Sequence, residues 1–141
     1  MADFRLPTKI QLTLVTTDLK LLELEADEVV LPGLDGQFGV LPGHTPMLAA
    51  LGIGEMSYRE GGRKTLLVVA GGFAEVLPDR VIVLAEAAYR AEDIDRGEAE
   101  RMRTEAEREL ASLASHDEGF ALAQARLEES LARTQVVSRR E

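Results

Sequence analysis

The chain has 141 residues and a formal net charge of −9; 45% of its residues are apolar, only 4% are aromatic, and it has no cysteine. Such an acidic balance argues against general nucleic-acid binding, which needs a basic face to neutralise phosphates, and the missing cysteines exclude disulfides, thiolate nucleophiles and Cys-ligated metals. The length allows one domain or two small ones around a mostly aliphatic core.

The opening MADFRLPTK lacks the apolar run of a signal peptide, and no window approaches a spanning helix. We therefore expect a soluble intracellular protein that meets a membrane only through partners.

All five prolines and ten of the twelve glycines precede residue 90, after which Ala, Glu and Arg dominate. A turn-rich half followed by a turn-poor half predicts an α+β chain, with a β domain over residues 1–88 and a helical domain over 89–141. Ile10, Leu12 and Leu14 alternate with polar residues, as do Leu22 and Leu24, which reads as half-buried strands. Val29 to Leu31 continues the pattern until Pro32-Gly33.

Residues 32–48, PGLDGQFGVLPGHTPML, hold three of the prolines, four of the glycines and one of the two histidines. Gly permits positive φ and Pro fixes it near −65°, so this is a shaped loop segment suited to docking. Met56 and Tyr58 lead to a Gly61-Gly62 hairpin turn, and Leu66 to Ala70 should be buried on both faces. Gly71-Gly72 should bend the chain into Phe73–Leu77, and Pro78-Asp79 should turn it into Val81–Ala85. Frequent turns between short strands predict an antiparallel sandwich or flattened barrel.

Asp95 is a candidate N-cap with Glu98 at the capping-box spacing. Met102, Ala106, Leu110 and Leu113 form one helical stripe; Phe120, Ala123, Leu127 and Leu131 form a second after a break at residues 115–119. The short turn predicts an antiparallel two-helix hairpin. At about 25 cal/mol per Å² of apolar burial, its small side chains barely offset the entropy of ordering it. It should be marginal unless it leans on the β domain or a partner, and both a mobile and a permanently docked hairpin stay open.

Catalytic equipment is sparse. His44 has no nucleophile in a G-x-S-x-G context, and His116 beside Asp117 and Glu118 reads as a solvated turn rather than a metal site. The glycine pairs lack phosphate-loop spacing. We assign no catalytic or metal residues. A ligand-binding β-sandwich, or a hydrolase using His44 and Asp35, remains open on the residues alone.

Three stretches carry a family resemblance: Gly36-Gln37-Phe38-Gly39-Val40-Leu41-Pro42-Gly43-His44-Thr45-Pro46-Met47-Leu48, Gly71-Gly72-Phe73-Ala74-Glu75-Val76, and Val83-Leu84-Ala85-Glu86-Ala87-Ala88 leading to Ile94-Asp95. In order and spacing the chain resembles the epsilon subunits of F-type ATP synthases. That resemblance implies a β-sandwich of about ten strands and a C-terminal hairpin. It also implies a non-catalytic rotor subunit that binds the gamma subunit and the membrane c-ring and helps couple proton flow to ATP synthesis. Asp35, Gly36, Gln37 and His44 would face the c-ring. The hairpin would extend into the alpha/beta catalytic head and inhibit ATP hydrolysis, with Arg126 and Arg133 as the available head contacts and Arg139 and Arg140 following at the tail. The location implied is the cytoplasmic side of a bacterial plasma membrane, or a thylakoid or mitochondrial inner membrane in an organelle.

Some relatives bind ATP through a pattern like [IL]-D-x-x-R-A. Here Ile94, Asp95 and Ala99 fit it, but Glu98 stands where the arginine is expected, and a carboxylate repels a polyphosphate. We expect no cofactor, with regulatory ATP at this segment as the alternative.

Overall fold

A computed structural model describes residues 5–139. Seven strands come first: β1 (Ile10–Val15), β2 (Lys20–Ala26), β3 (Glu28–Gly33), β4 (Gly36–Val40), β5 (Met47–Glu60), β6 (Arg63–Leu77) and β7 (Arg80–Arg90). A 3-10 turn (Ala91–Asp93) leads to the helices α1 (Arg96–Ala111) and α2 (Phe120–Arg139).

All seven strands belong to one hydrogen-bonded sheet in the order β2-β1-β7-β6-β5-β3-β4. It becomes a sandwich because the three long central strands fold along a shared line. In β5 the core-facing residues are Leu51 before the fold but Met56 and Tyr58 after it, so the inward parity switches. In β6 it switches between Val69 and Ala74. Gly52, Gly71 and Glu86 are the positions skipped where the β5–β6 and β6–β7 registers cross this line. The register is the same on both sides of these positions, so the three strands turn over together rather than by a one-residue slip.

Glycine is needed here. Gly71 and Gly72 have φ of 74° and 111°, and a Cβ on Gly72 would lie 2.1 Å from the Leu84 carbonyl oxygen. The bend expected from this glycine pair is therefore present, and it explains the strand count. The alternation alone reads as eight or so short strands and the family resemblance implies about ten; seven are found because β5, β6 and β7 each run through both layers. One pairing also departs from the antiparallel expectation, since β1 lies parallel to β7.

The main core fills the space between the layers with Ile10, Leu12, Leu14, Val29, Leu31, Val40, Met56, Leu67, Val76, Val81 and their neighbours. It is aliphatic, as the composition requires. The layers are also stitched at their margin, where Arg90 donates to the Leu21 carbonyl, and the Asp27 amide extends the β3–β5 ladder by donating to the Arg59 carbonyl at 2.7 Å.

Asp95 caps α1 by accepting the Glu98 amide hydrogen at 2.8 Å, as its position predicts. The hairpin lies on the outer face of the second layer, where Val68, Ile94, Ala99, Ala132, Val136 and Val137 form a second core, lined by Leu66, Tyr89 and Ala91. In α2 the buried residues are Ala123, Ser130, Ala132, Val136 and Val137, while Leu131 is 39% exposed. The expected single stripe through Leu131 is thus replaced by two. One helix cannot show a single stripe when its start faces α1 and its end faces a sheet.

Candidate interaction surfaces

The first candidate surface lies on the outer face of the first layer. Phe73 pairs with Leu84 on β7 and with Ala50 on β5, forming an apolar row across three strands. Phe73 and Leu84 are each 55% exposed, and Leu48 next to Ala50's row is 72% exposed. Large apolar side chains side by side on a sheet face are uncommon on a free monomer and mark contact surfaces. The reason lies in the strand pattern: residues 74, 76, 81 and 83 point inward, so 73 and 84 must point out.

The loop residues singled out from the sequence are divided between two places. Leu34 and Asp35 form the tight β3–β4 turn, Gly36 opens β4 with φ of 136°, and Gln37 follows it; Asp35, Gly36 and Gln37 are all exposed. The Leu34 amide donates to the Ala50 carbonyl at 2.9 Å, which holds this turn beside the crease. His44 sits beyond the far end of β4, about 13 Å away along a strand of this length. Its Nδ1 lies 2.7 Å from the Thr45 carbonyl oxygen, and the neighbouring Gly43 amide donates to the Pro78 carbonyl at 2.7 Å. The structure therefore does not bring Asp35, Gly36 and Gln37 together with His44.

The third place is the helix-docking face. Arg133 lies with its guanidinium carbon 3.9 Å from the Tyr89 ring centroid and pairs with Glu129 at 2.9 Å. Both side chains of that pair are only 15% exposed, and Arg133 Nε is buried without an acceptor among the described residues. Stacking on an aromatic face suits a weakly hydrated guanidinium removed from water. Arg126 is exposed and reaches back to Glu109 on α1 at 3.5 Å. Although seven apart, the two arginines serve different contacts, one with α1 and one with the sandwich. Arg139 pairs with Glu55 of β5, and Arg140 lies outside the described residues.

Of the segment weighed for ATP, Ile94 and Ala99 are buried in the second core, Asp95 is occupied as the helix cap, and Glu98 is exposed. Among the described residues no three metal-ligating side chains gather at one point. Further round the molecule, Asp27 accepts from Lys9 and, at 2.6 Å, from the Gly61 amide. The Lys9 hydrogen bond first, and the Gly61 hydrogen bond second, hold the Asp27 carboxyl below its ordinary range.

A folded-over sheet carrying a helical hairpin can be compared with known proteins. The family described as "ATP synthase, Delta/Epsilon chain, beta-sandwich domain" matches residues 9–91. The chain belongs to that family.

Relatives named ATP synthase epsilon chain include one from Syntrophobacter fumaroxidans, 45% identical over 93% of this chain and 97% of its own. Another, from Nitratidesulfovibrio vulgaris, is 45% identical over 90% and 94%. Among solved structures, a chain of the Euglena gracilis mitochondrial ATP synthase, described as OSCP/F1/c-ring, superposes with a TM-score of 0.80 at 29% identity. It is covered over 82% of its length, and this chain over 93%. A Tetrahymena thermophila mitochondrial central stalk/c-ring chain, at 12% identity and a TM-score of 0.61, shares the fold.

Two features of this epsilon-type chain escape a sequence reading for different reasons. Phe73 and Leu84 are equidistant from the Pro78-Asp79 turn, so counting outward from that turn would have paired them. Glu55 and Arg139 are 84 residues apart, and no local pattern links them.

Proposed function

We propose that this chain is a non-catalytic central-stalk subunit of an F-type ATP synthase. It binds the gamma subunit and the c-ring, helps couple proton translocation to ATP synthesis, and inhibits ATP hydrolysis when its hairpin leaves the sandwich for the alpha/beta head. Membrane association comes through these partners; no described helix is long and apolar enough to cross a membrane.

The observation that carries the reading is the exposed row of Leu48, Ala50, Phe73 and Leu84 in a chain of the epsilon family. We assign this face to gamma because it is apolar and lies on the layer the hairpin leaves bare. The docked hairpin supports the regulatory half of the reading. Docked, Arg133 stacks on Tyr89 of the sandwich and Arg126 meets Glu109 of α1; leaving the sandwich releases Arg133 from Tyr89, and opening α2 away from α1 releases Arg126 for acidic segments elsewhere. ATP does not act through Ile94, Asp95 and Ala99 in this reading, since two of them are core residues and Glu98 repels phosphate.

The test is capture of the cognate gamma subunit at about 1 µM, a concentration at which a specific stalk contact should hold. Phe73→Glu should weaken capture by about tenfold or more, as expected for a central apolar anchor, while Thr17→Glu should not. Equal capture by all three chains would overturn the assignment. In the assembled enzyme, removal of residues 95–141 should raise ATP hydrolysis, and an unchanged rate would sink the inhibitory role.

A further inference from the structure

We infer that the groove between the crease of the sheet and the first half of α2 is a binding site for a small organic cation with an apolar body. This is independent of the rotor reading. The groove has a volume of about 450 Å³, and its apolar floor and wall include Leu34, Ile53, Ala70, Leu122 and Ala125. That size falls in the range of small-molecule sites. It exists for a structural reason. At the crease Gly52 and Gly71 line the groove with bare backbone, and α2 spans it without filling it.

The charge around the opening has one sign once internal pairs are removed. Arg126 is engaged by Glu109 at 3.5 Å, and Glu129 by Arg133 at 2.9 Å. Glu86 and Glu128 remain, and neither has an ion pair among the described residues. Glu86 lies across the bare backbone of Gly71, its carboxylate 2.8 Å from where a Cβ on that glycine would be. A carboxylate held over a missing side chain points at the same space that the apolar wall encloses. An ammonium group at the rim with an aliphatic tail inside satisfies both features, whereas an anion meets two carboxylates. Because α2 forms one wall, the site is complete only in the docked hairpin, and an occupant stabilises docking by mass action.

The test compares octylammonium, octanoate and 1-octanol as probes of the full chain by calorimetric titration at low salt. Octylammonium should saturate one site and bind about fivefold or more tighter than octanoate, a preference that shrinks as salt screens the rim. Glu86→Gln with Glu128→Gln should bring the amine and 1-octanol within about twofold of each other without changing the fold, because both positions are exposed. Ala125→Phe should fill the groove and abolish binding of all three. Leu122→Gln, which removes apolar wall without adding charge at a position already 56% exposed, serves as the milder block should the larger side chain disturb docking. Slower amide exchange along α2 with octylammonium present should accompany binding. Equal binding of octanoate and octylammonium, binding unchanged in both blocking variants, or no saturation below about 5 mM would overturn the proposal.

Discussion

One guanidinium nitrogen of Arg139 sits 2.5 Å and 2.7 Å from the two carboxylate oxygens of Glu55, tying the end of α2 to the middle of β5. Glu55 keeps only 13% of its side chain exposed, while Arg139 keeps 44%. The pair therefore lies at the margin of the second core, where water thins but does not vanish.

Glu55→Gln should loosen the hairpin without unfolding the sandwich. A half-exposed charge pair of good geometry contributes about 1 kcal/mol, or about fivefold in an opening equilibrium. Amide exchange over residues 130–139 should quicken by that factor, while exchange in β6 and β7 stays unchanged. Added salt should quicken the wild type and leave the variant almost unaffected.

Arg133 should resist conservative exchange. Arg133→Lys keeps the charge near Glu129 but loses the flat contact with Tyr89 and should cost about 0.5–1 kcal/mol of hairpin docking. Arg133→Ala should cost about 2 kcal/mol, because it also strands the mostly buried Glu129 carboxylate. Tyr89→Phe keeps the ring face and should be close to neutral. Urea titration followed by a probe on α2 would rank the three variants.

Gly72→Ala should be far more harmful than Gly39→Ala. At Gly72 a Cβ meets backbone at 2.1 Å and φ is 111°, whereas nothing lies within 4 Å of a Cβ on Gly39. A loss of about 3 kcal/mol or more is expected at Gly72, from strain and a pushed-apart β6–β7 pair, against about 0.5 kcal/mol or less at Gly39. The shift of the chemical denaturation midpoint measures both.

Acid should act partly through Asp27. Its carboxyl is held low by the Lys9 hydrogen bond and then by the Gly61 amide. A group with a lowered folded-state pKa contributes stability above its unfolded pKa and loses that contribution as pH falls through the folded value. The window is therefore below about pH 4. Lys9 is raised chiefly by the Asp27 hydrogen bond, so its matching contribution is present at neutral pH and lost only as pH rises above 10.5. Asp27→Asn should flatten the acid limb of the stability curve and remove the alkaline limb due to Lys9. An acid limb identical to the wild type would show that the pair is without consequence.

The sandwich, the hairpin, the Asp95 cap and the Gly71-Gly72 bend were legible because each has a local signature: alternation, helical stripes, a side-chain acceptor before an acidic turn, a glycine pair. The strand count was not, because a strand that crosses a crease reads as two strands when its alternation reverses, as it does between Leu51 and Met56. The face of α2 was missed at Leu131 because local periodicity does not say how many neighbours a helix has. The ties of Arg133 to Tyr89 and Arg139 to Glu55 depend on where the hairpin lands, which is a property of the assembled chain. Likewise Asp35 and His44, close in sequence, are separated by the length of a strand.

The shared crease at Gly52, Gly71 and Glu86 also has a mechanical meaning. In a sandwich built from two separate sheets, the layers meet only through side-chain contacts and can slide along that seam. Here three unbroken strands pass from one layer to the other, so sliding would bend covalent backbone at three neighbouring points at once. The body behaves as a folded plate, stiff against twisting, with the hairpin packed on its outside.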